Sequence, residues 1–250
     1  MRHIDRLTLD TSEPVPDARF FVAQQYADLL GREPDQPTLD KLAGQLIQCG
    51  NRSDCLRARK LDVFTDLLVE NELSSTVVVM YGVYSVALGR QPRFSEFESD
   101  RSSGIALATS LVERPEFKRR FPATMKPVEF VDSVLASLIQ STGVDLSGER
   151  TALLNLFEGP NGRAAVLAQV ASDQRVIDAN YNHALVLYQY FAYLRRNPDE
   201  AGYNTWVNTL KRKPLRDPEA MRSLVCNFLN SAEYQTRFGM VATHQSRECI

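Results

Sequence analysis

Leu29-Leu30-Gly31-Arg32-Glu33-Pro34-Asp35 decides the fold, because the chain returns to it. The phrase comes back as Ala87-Leu88-Gly89-Arg90-Gln91-Pro92-Arg93 and as Tyr193-Leu194-Arg195-Arg196-Asn197-Pro198-Asp199. Recurrence at a near-constant period marks a duplicated structural unit. Gly31 and Gly89 lie 58 residues apart, and Gly89 and Arg195 lie 106 apart, close to two periods. Between them stands Gly143, 54 residues after Gly89 and 52 before Arg195. Proline is missing around Gly143, but Ser147 falls where Asp35, Arg93 and Asp199 fall. Five residues before the four turn markers stand Tyr26, Tyr84, Leu138 and Tyr190. We read four copies, the third degenerate.

Each copy reads as helices joined at a defined break. A first helix precedes the turn over 20–30, 77–88, 127–140 and 181–194, with apolar residues at helical spacing such as Val22, Tyr26, Leu29 and Leu30. Gly31 and Gly89 suit the left-handed conformation at a helix C-terminus, where a Cβ is costly. Pro34, Pro92 and Pro198 follow, since proline cannot continue the helix. Asp35, Ser147 and Asp199 are placed to cap the next helix by accepting a backbone N–H. A closing helix ends in Glu72-Leu73, Glu116-Phe117 or Glu233-Tyr234, with Phe117/Phe121 and Tyr234/Phe238 on one face as core. Val77-Val78-Val79-Met80 is β-branched and would suit a strand, but the register of the repeat makes it helix. The expected fold is all-α: about four degenerate three-helix repeats packed as one helical domain or two lobes. The expected boundaries are an N-terminal extension over 1–19, repeats one and two over 20–126, repeats three and four over 127–239, and a tail over 240–250.

The 250 residues are 44% hydrophobic and 24% charged, which suits a globular chain with a real core. A net charge of -2 provides no global field for nucleic acid or an anionic membrane, so neither is an expected partner. No apolar run reaches the roughly 20 residues of a membrane span. Lys118-Arg119-Arg120 and Lys211-Arg212-Lys213 read as solvated helix ends.

Cys49 and Cys55 frame a polar loop, Gly50-Asn51-Arg52-Ser53-Asp54. A disulfide across it is the favoured reading, a local staple of about 2 kcal/mol. Free thiols and a zinc site are the rivals, but zinc needs four soft ligands, and His3, His183 and His244 are scattered. Cys226 reads as a small buried hydrophobe, and Cys249, in a polar tail, could pair with it, with another chain, or with nothing. An oxidised Cys49–Cys55 implies export. Residues 1–6 have no signal-peptide character, so export would imply a longer precursor or an excised piece.

Written out, the unit is Phe-Val-x-x-x-Tyr-x-x-Leu-Leu-Gly-Arg-x-Pro-Asp, an amphipathic helix, a gap, then Ser-x-Glu-Tyr-x-x-Arg-Phe. This resembles the bacterial domain of unknown function 4214 (DUF4214). Phe21-Val22, Tyr26, Leu30-Gly31-Arg32 and Pro34-Asp35 carry the likeness in copy one. Pro198-Asp199, Gly202, Trp206 and Ser231–Phe238 carry it in copy four. The cysteine pair and Phe121-Pro122-Ala123-Thr124-Met125-Lys126-Pro127, with Glu129-Phe130-Val131, resemble a long version from soil bacteria such as acidobacteria. A more distant likeness is to phycobilisome linker domains. The resemblance implies an all-helical module of secreted or surface-layer proteins, some of whose relatives attach to lipopolysaccharide. It implies no catalytic residue.

No Gly-x-Ser-x-Gly, His-Glu-x-x-His, phosphate loop or EF-hand loop occurs. Gly159-Pro160-Asn161-Gly162-Arg163 reads as a turn with a cap, and Glu96, Glu98 and Asp100 as a solvated surface. The candidate binding residues are the turn arginines Arg32, Arg90 and Arg196, with Tyr203 and Trp206. The arginines either satisfy local carbonyls and carboxylates or present forks to an anionic ligand; the local role is favoured. The two aromatics could stack on a sugar, but aromatics at helical spacing are more often core. No catalytic residue, metal or cofactor is expected. The leading expectation is a non-catalytic module of a secreted or cell-surface bacterial protein, mediating attachment or assembly through envelope polysaccharide or another surface protein. The alternative is a cytoplasmic protein–protein scaffold.

Overall fold

The computed structural model describes residues 18–69, 73–100 and 104–237. Among these, every regular element is helical and none is a strand. In chain order, α1 (Ala18–Gln25) runs into a π turn at Tyr26–Leu30, followed by α2 (Gln36–Ile47) and α3 (Ser53–Val69). A π segment at Leu73–Val78 leads into α4 (Val79–Leu88), then α5 (Phe94–Ser99), α6 (Gly104–Val112) and α7 (Pro115–Arg120). Next come α8 (Pro127–Thr142), a 3-10 turn at Ser147–Glu149, α9 (Arg150–Phe157) and α10 (Gly162–Ala171). The order ends with α11 (Gln174–Gln189), a π turn at Tyr190–Leu194, α12 (Glu200–Lys211), α13 (Pro218–Leu229) and α14 (Ala232–Thr236). Val77-Val78-Val79-Met80 is helical despite its β-branched character. Phe238, Cys249, His3 and His244 lie outside the described residues.

Left-handed backbone follows the helix at each turn marker: φ is 65° at Gly31, 71° at Gly89, 75° at Gly143 and 52° at Arg195. Gly89 meets a second constraint. A Cβ there would lie 2.2 Å from a guanidinium nitrogen of Arg120. Arg195 takes the conformation without glycine's freedom, at a cost of about 1 kcal/mol. Asp35 and Asp199 cap α2 and α12, accepting the N–H of Thr38 and of Gly202, each at 2.8 Å. Ser147 does not cap. The carboxylate of Asp145 accepts the Ser147 N–H at 2.8 Å, and Ser147 opens the 3-10 turn instead. The Gly159–Arg163 stretch is a turn, but its Asn161 is left-handed (φ 61°) and makes no side-chain cap.

The described residues divide into two compact units, drawn from 18–69, 192–195 and 216–237, and from 73–100, 104–191 and 196–215. In the first, α1 packs on α2, and α3 packs on α2 and α13. Phe21, Val22, Leu46 and Phe64 are almost wholly buried there. The rings of Phe64 and Tyr193 are 5.8 Å apart, and those of Tyr193 and Tyr234 are 5.1 Å apart. A Cys49–Cys55 disulfide ties the end of α2 to the start of α3, with 5.5 Å between the Cα atoms. Arg52 fills the loop it closes, donating to the carbonyls of Cys49 (3.1 Å) and Gln48 (3.2 Å). Cys226 is buried in α13, and among the described residues no cysteine is free.

In the second unit α4 is central, packed against α6 and α10. Close approach depends on Gly82, where a Cβ would lie 3.2 Å from that of Ala171. One end is an aromatic cluster, with Phe121 5.0 Å from both Phe117 and Phe130. Phe97 packs on Phe191 at 5.2 Å. Residues of this size each gain roughly 2 kcal/mol on leaving water, so such clusters dominate the packing.

Candidate functional site

The three turn arginines share one local geometry. Each guanidinium lies over the ring of the tyrosine six positions earlier: Arg32 over Tyr26 at 5.3 Å, Arg90 over Tyr84 at 5.6 Å and Arg196 over Tyr190 at 5.2 Å. The break between helices folds the chain back, and a cation over a π face is attractive. In copy three the pair is Leu138 and Val144, so both partners are replaced together.

Beyond this clasp the arginines differ. Arg90 is fully engaged. Its Nη1 and Nη2 donate to Glu96 at 2.8 and 2.7 Å, and its Nε and Nη2 donate to Glu116 at 2.8 and 2.9 Å. Arg114 adds bonds to Glu96 and to the Tyr84 hydroxyl, both 3.0 Å, and pairs with Asp100, which also accepts from the Tyr84 hydroxyl. Burial pushes the Glu96 carboxyl up, but the Arg90 fork and the Arg93 N–H outweigh it and hold it below its usual range. A hydrogen bond from Arg90 likewise lowers Glu116. Burial and then the Asp100 contact push the Tyr84 phenol far up.

Glu96 and Asp100 are therefore not a solvated surface; their side chains are 16% and 13% exposed. Arg120 is not solvated either. It packs on Phe121 (5.2 Å), donates to Ser137 at 2.8 Å, and burial lowers its pKa. Lys211, Arg212 and Lys213 are exposed.

Arg196, in the same unit as Arg90, is half-buried and pairs with Asp199 at 3.7 Å. Asn197 beside it accepts the N–H of Phe94 at 2.8 Å, so the second and fourth turns meet. Tyr203 is buried in α12, its hydroxyl donating to the His183 carbonyl at 3.2 Å, and Trp206, one turn on, is half-buried. Burial first, then the charge of Lys211, hold the His183 imidazole down at about 4.

Arg32, in the other unit, is exposed and borders a hollow of about 290 Å³. Its apolar side is Tyr26, Leu42, Val63 and Leu67, and its rim is Arg32, Asp35, Thr38 and Lys41. Among the described residues no hydrogen bond or close ion pair joins Arg32 or Lys41 to a carboxylate, although the charge of Arg32 acts on Asp35. Asp35, committed to the Thr38 N–H, is held below its usual range by that bond.

The same unit buries a charge that the sequence reading passed over. Asp28, 2% exposed, accepts from Arg237 Nη2 at 2.8 Å, the Tyr234 hydroxyl at 3.2 Å and Arg195 Nη2 at 3.4 Å. Gln25, wholly buried, accepts from the Tyr193 hydroxyl at 2.9 Å. A sequence signal existed: Gln25 and Asp28 stand four and seven positions after Phe21, on the apolar face of that helix.

Among the described residues, no three His, Cys, Asp or Glu gather in a group that could hold a metal ion. No described helix is long and apolar enough to cross a membrane. Compared with known proteins, the chain matches no family model, no curated protein and no solved structure.

Proposed function

We propose that the chain is a non-catalytic helical module of a secreted or cell-surface bacterial protein, serving attachment or assembly, with envelope glycan as its ligand class. The observation that carries this reading is the Cys49–Cys55 disulfide, because such bonds persist in oxidising compartments and are rare in the cytosol. The charged groups of the second turn support it: Arg90, Glu96, Arg114 and Glu116 hold one another rather than face a cavity as poised acids and bases. The resemblance of the repeated phrase to DUF4214 points the same way.

The test is made on protein isolated from its own cells. Differential alkylation with mass spectrometry should find Cys49 and Cys55 oxidised, and envelope fractions should retain the purified chain. Reduced thiols with no envelope retention would overturn the reading in favour of a cytoplasmic scaffold.

A further inference from the structure

We propose that the hollow beside the first turn is a binding site for an acidic sugar residue, with Arg32 and Lys41 taking its carboxylate. This rests on the reading of the chain as a glycan-binding module and names the ligand class and the site.

Two cations share one rim, Lys41 and an Arg32 whose charge acts on Asp35 without a close ion pair, and together they define where an anion goes. They contrast with Arg90, which two carboxylates saturate, and with Arg196, which Asp199 pairs. The Arg32 guanidinium is oriented already, since its face rests on Tyr26 and its N–H edges remain to donate in a fork. Lys41 adds a mobile point charge from α2.

The rest of the lining selects what carries the anion. Asp35 keeps a negative charge on the same rim and would repel a ligand anionic at both ends, but it accepts hydrogen bonds from hydroxyls. The Thr38 hydroxyl, which donates to the Asp35 carboxylate, can accept from a sugar hydroxyl. Leu42, part-exposed in front of the buried Val63 and Leu67, offers a small apolar contact for the C–H face of a sugar ring. One carboxylate, several hydroxyls and an apolar face together describe a uronic acid. At about 290 Å³ the hollow is at the lower end of ligand pockets, which fits one or two rings rather than a long chain.

The experiment is a calorimetric or NMR titration of the whole chain with glucuronate, glucose, acetate and a short oligouronide. Glucuronate should saturate, with glucose and acetate each weaker by about tenfold or more, since each lacks half of the recognition. Lys41→Gln should weaken glucuronate about fivefold with unchanged thermal unfolding, because Lys41 holds nothing in the fold. Arg32→Lys keeps the charge but loses the fork, and should weaken it by a similar factor. A monomer that binds as well as the oligouronide also supports the site and assigns it to a free sugar acid. No saturation by glucuronate, acetate binding as tightly, or K41Q binding unchanged would each overturn the proposal. Envelope retention undiminished in K41Q, alongside no glucuronate binding, would remove this site while leaving the attachment reading intact. Glucuronate binding without envelope retention would do the reverse.

Discussion

The guanidinium of Arg32 lies 5.3 Å from the centre of the Tyr26 ring, and the chain builds the same clasp at Tyr84–Arg90 and Tyr190–Arg196. In each, a tyrosine near the end of the helical stretch meets the arginine just past the left-handed residue, six positions on. At the corresponding positions around Gly143 the chain has Leu138 and Val144, neither tyrosine nor arginine. The clasp is therefore a unit. A double-mutant cycle with Tyr26→Leu and Arg32→Val, followed by urea unfolding, should give a coupling of about 0.5–1 kcal/mol. Additive single effects would show that ring and cation are only neighbours.

Arg90 should be the least replaceable of the turn arginines. Arg90→Ala leaves Glu96 and Glu116 facing each other without their shared cation, in a site where Glu96 is 16% exposed. The expected loss is about 3 kcal/mol, and Arg90→Lys should recover less than half, because one ammonium cannot serve two carboxylates in fork geometry. Arg196→Ala, whose Asp199 partner is 57% exposed, should cost about 1 kcal/mol or less. Chemical denaturation of the three variants checks the order; equal losses would refute it.

Local chemistry was legible in the sequence. The breaks at Gly31, Gly89 and Gly143, the caps at Asp35 and Asp199, and the helical character of Val79–Leu88 follow from turn residues and register. What escaped depends mostly on partners outside the residue's own helix. Glu96 and Asp100 look solvated when compared only with Glu98, two residues from each. Their real neighbours are Arg90 and Arg114, brought in by the fold. Asp28 was not singled out, and its partners Arg195, Tyr234 and Arg237 stand 167 to 209 positions away. Around Gly143, Ser147 caps nothing, because its own N–H is taken by the Asp145 carboxylate and it opens the 3-10 turn instead.

His183 should make the fold acid-sensitive. It lies beside Tyr203 and Tyr81, and burial, then Lys211, lower its pKa from 6.5 to about 4. Between these values the unfolded chain binds a proton that the folded chain refuses. Stability should thus fall as pH drops from about 6.5 to about 4, by on the order of 2 kcal/mol after allowance for partial solvent access, and this contribution should then level off. Glu96 and Glu116, held low in the fold, add a loss of the same sign only below about 4.5. Urea midpoints across pH 4–7 should slope in the wild type and flatten in His183→Gln. An unchanged slope would assign the acid sensitivity elsewhere.

Asp28 gives the sharpest test of the first unit. Its buried carboxylate is the shared acceptor of Arg237, Tyr234 and Arg195, and Arg237 also donates to the Tyr193 carbonyl at 2.6 Å. Asp28→Asn keeps the shape but leaves two arginines without their counter-charge, so it should cost about 3 kcal/mol. Arg237→Met should cost a similar amount by stranding Asp28. The double variant Asp28→Leu/Arg237→Met removes both charges, and an apolar pair can pack where an ion pair stood. Its loss should therefore fall well short of the sum of the Asp28→Leu and Arg237→Met single losses, by about 2 kcal/mol. Equilibrium unfolding of the wild type and these variants measures that difference. Strict additivity would mean that Asp28 and Arg237 act separately.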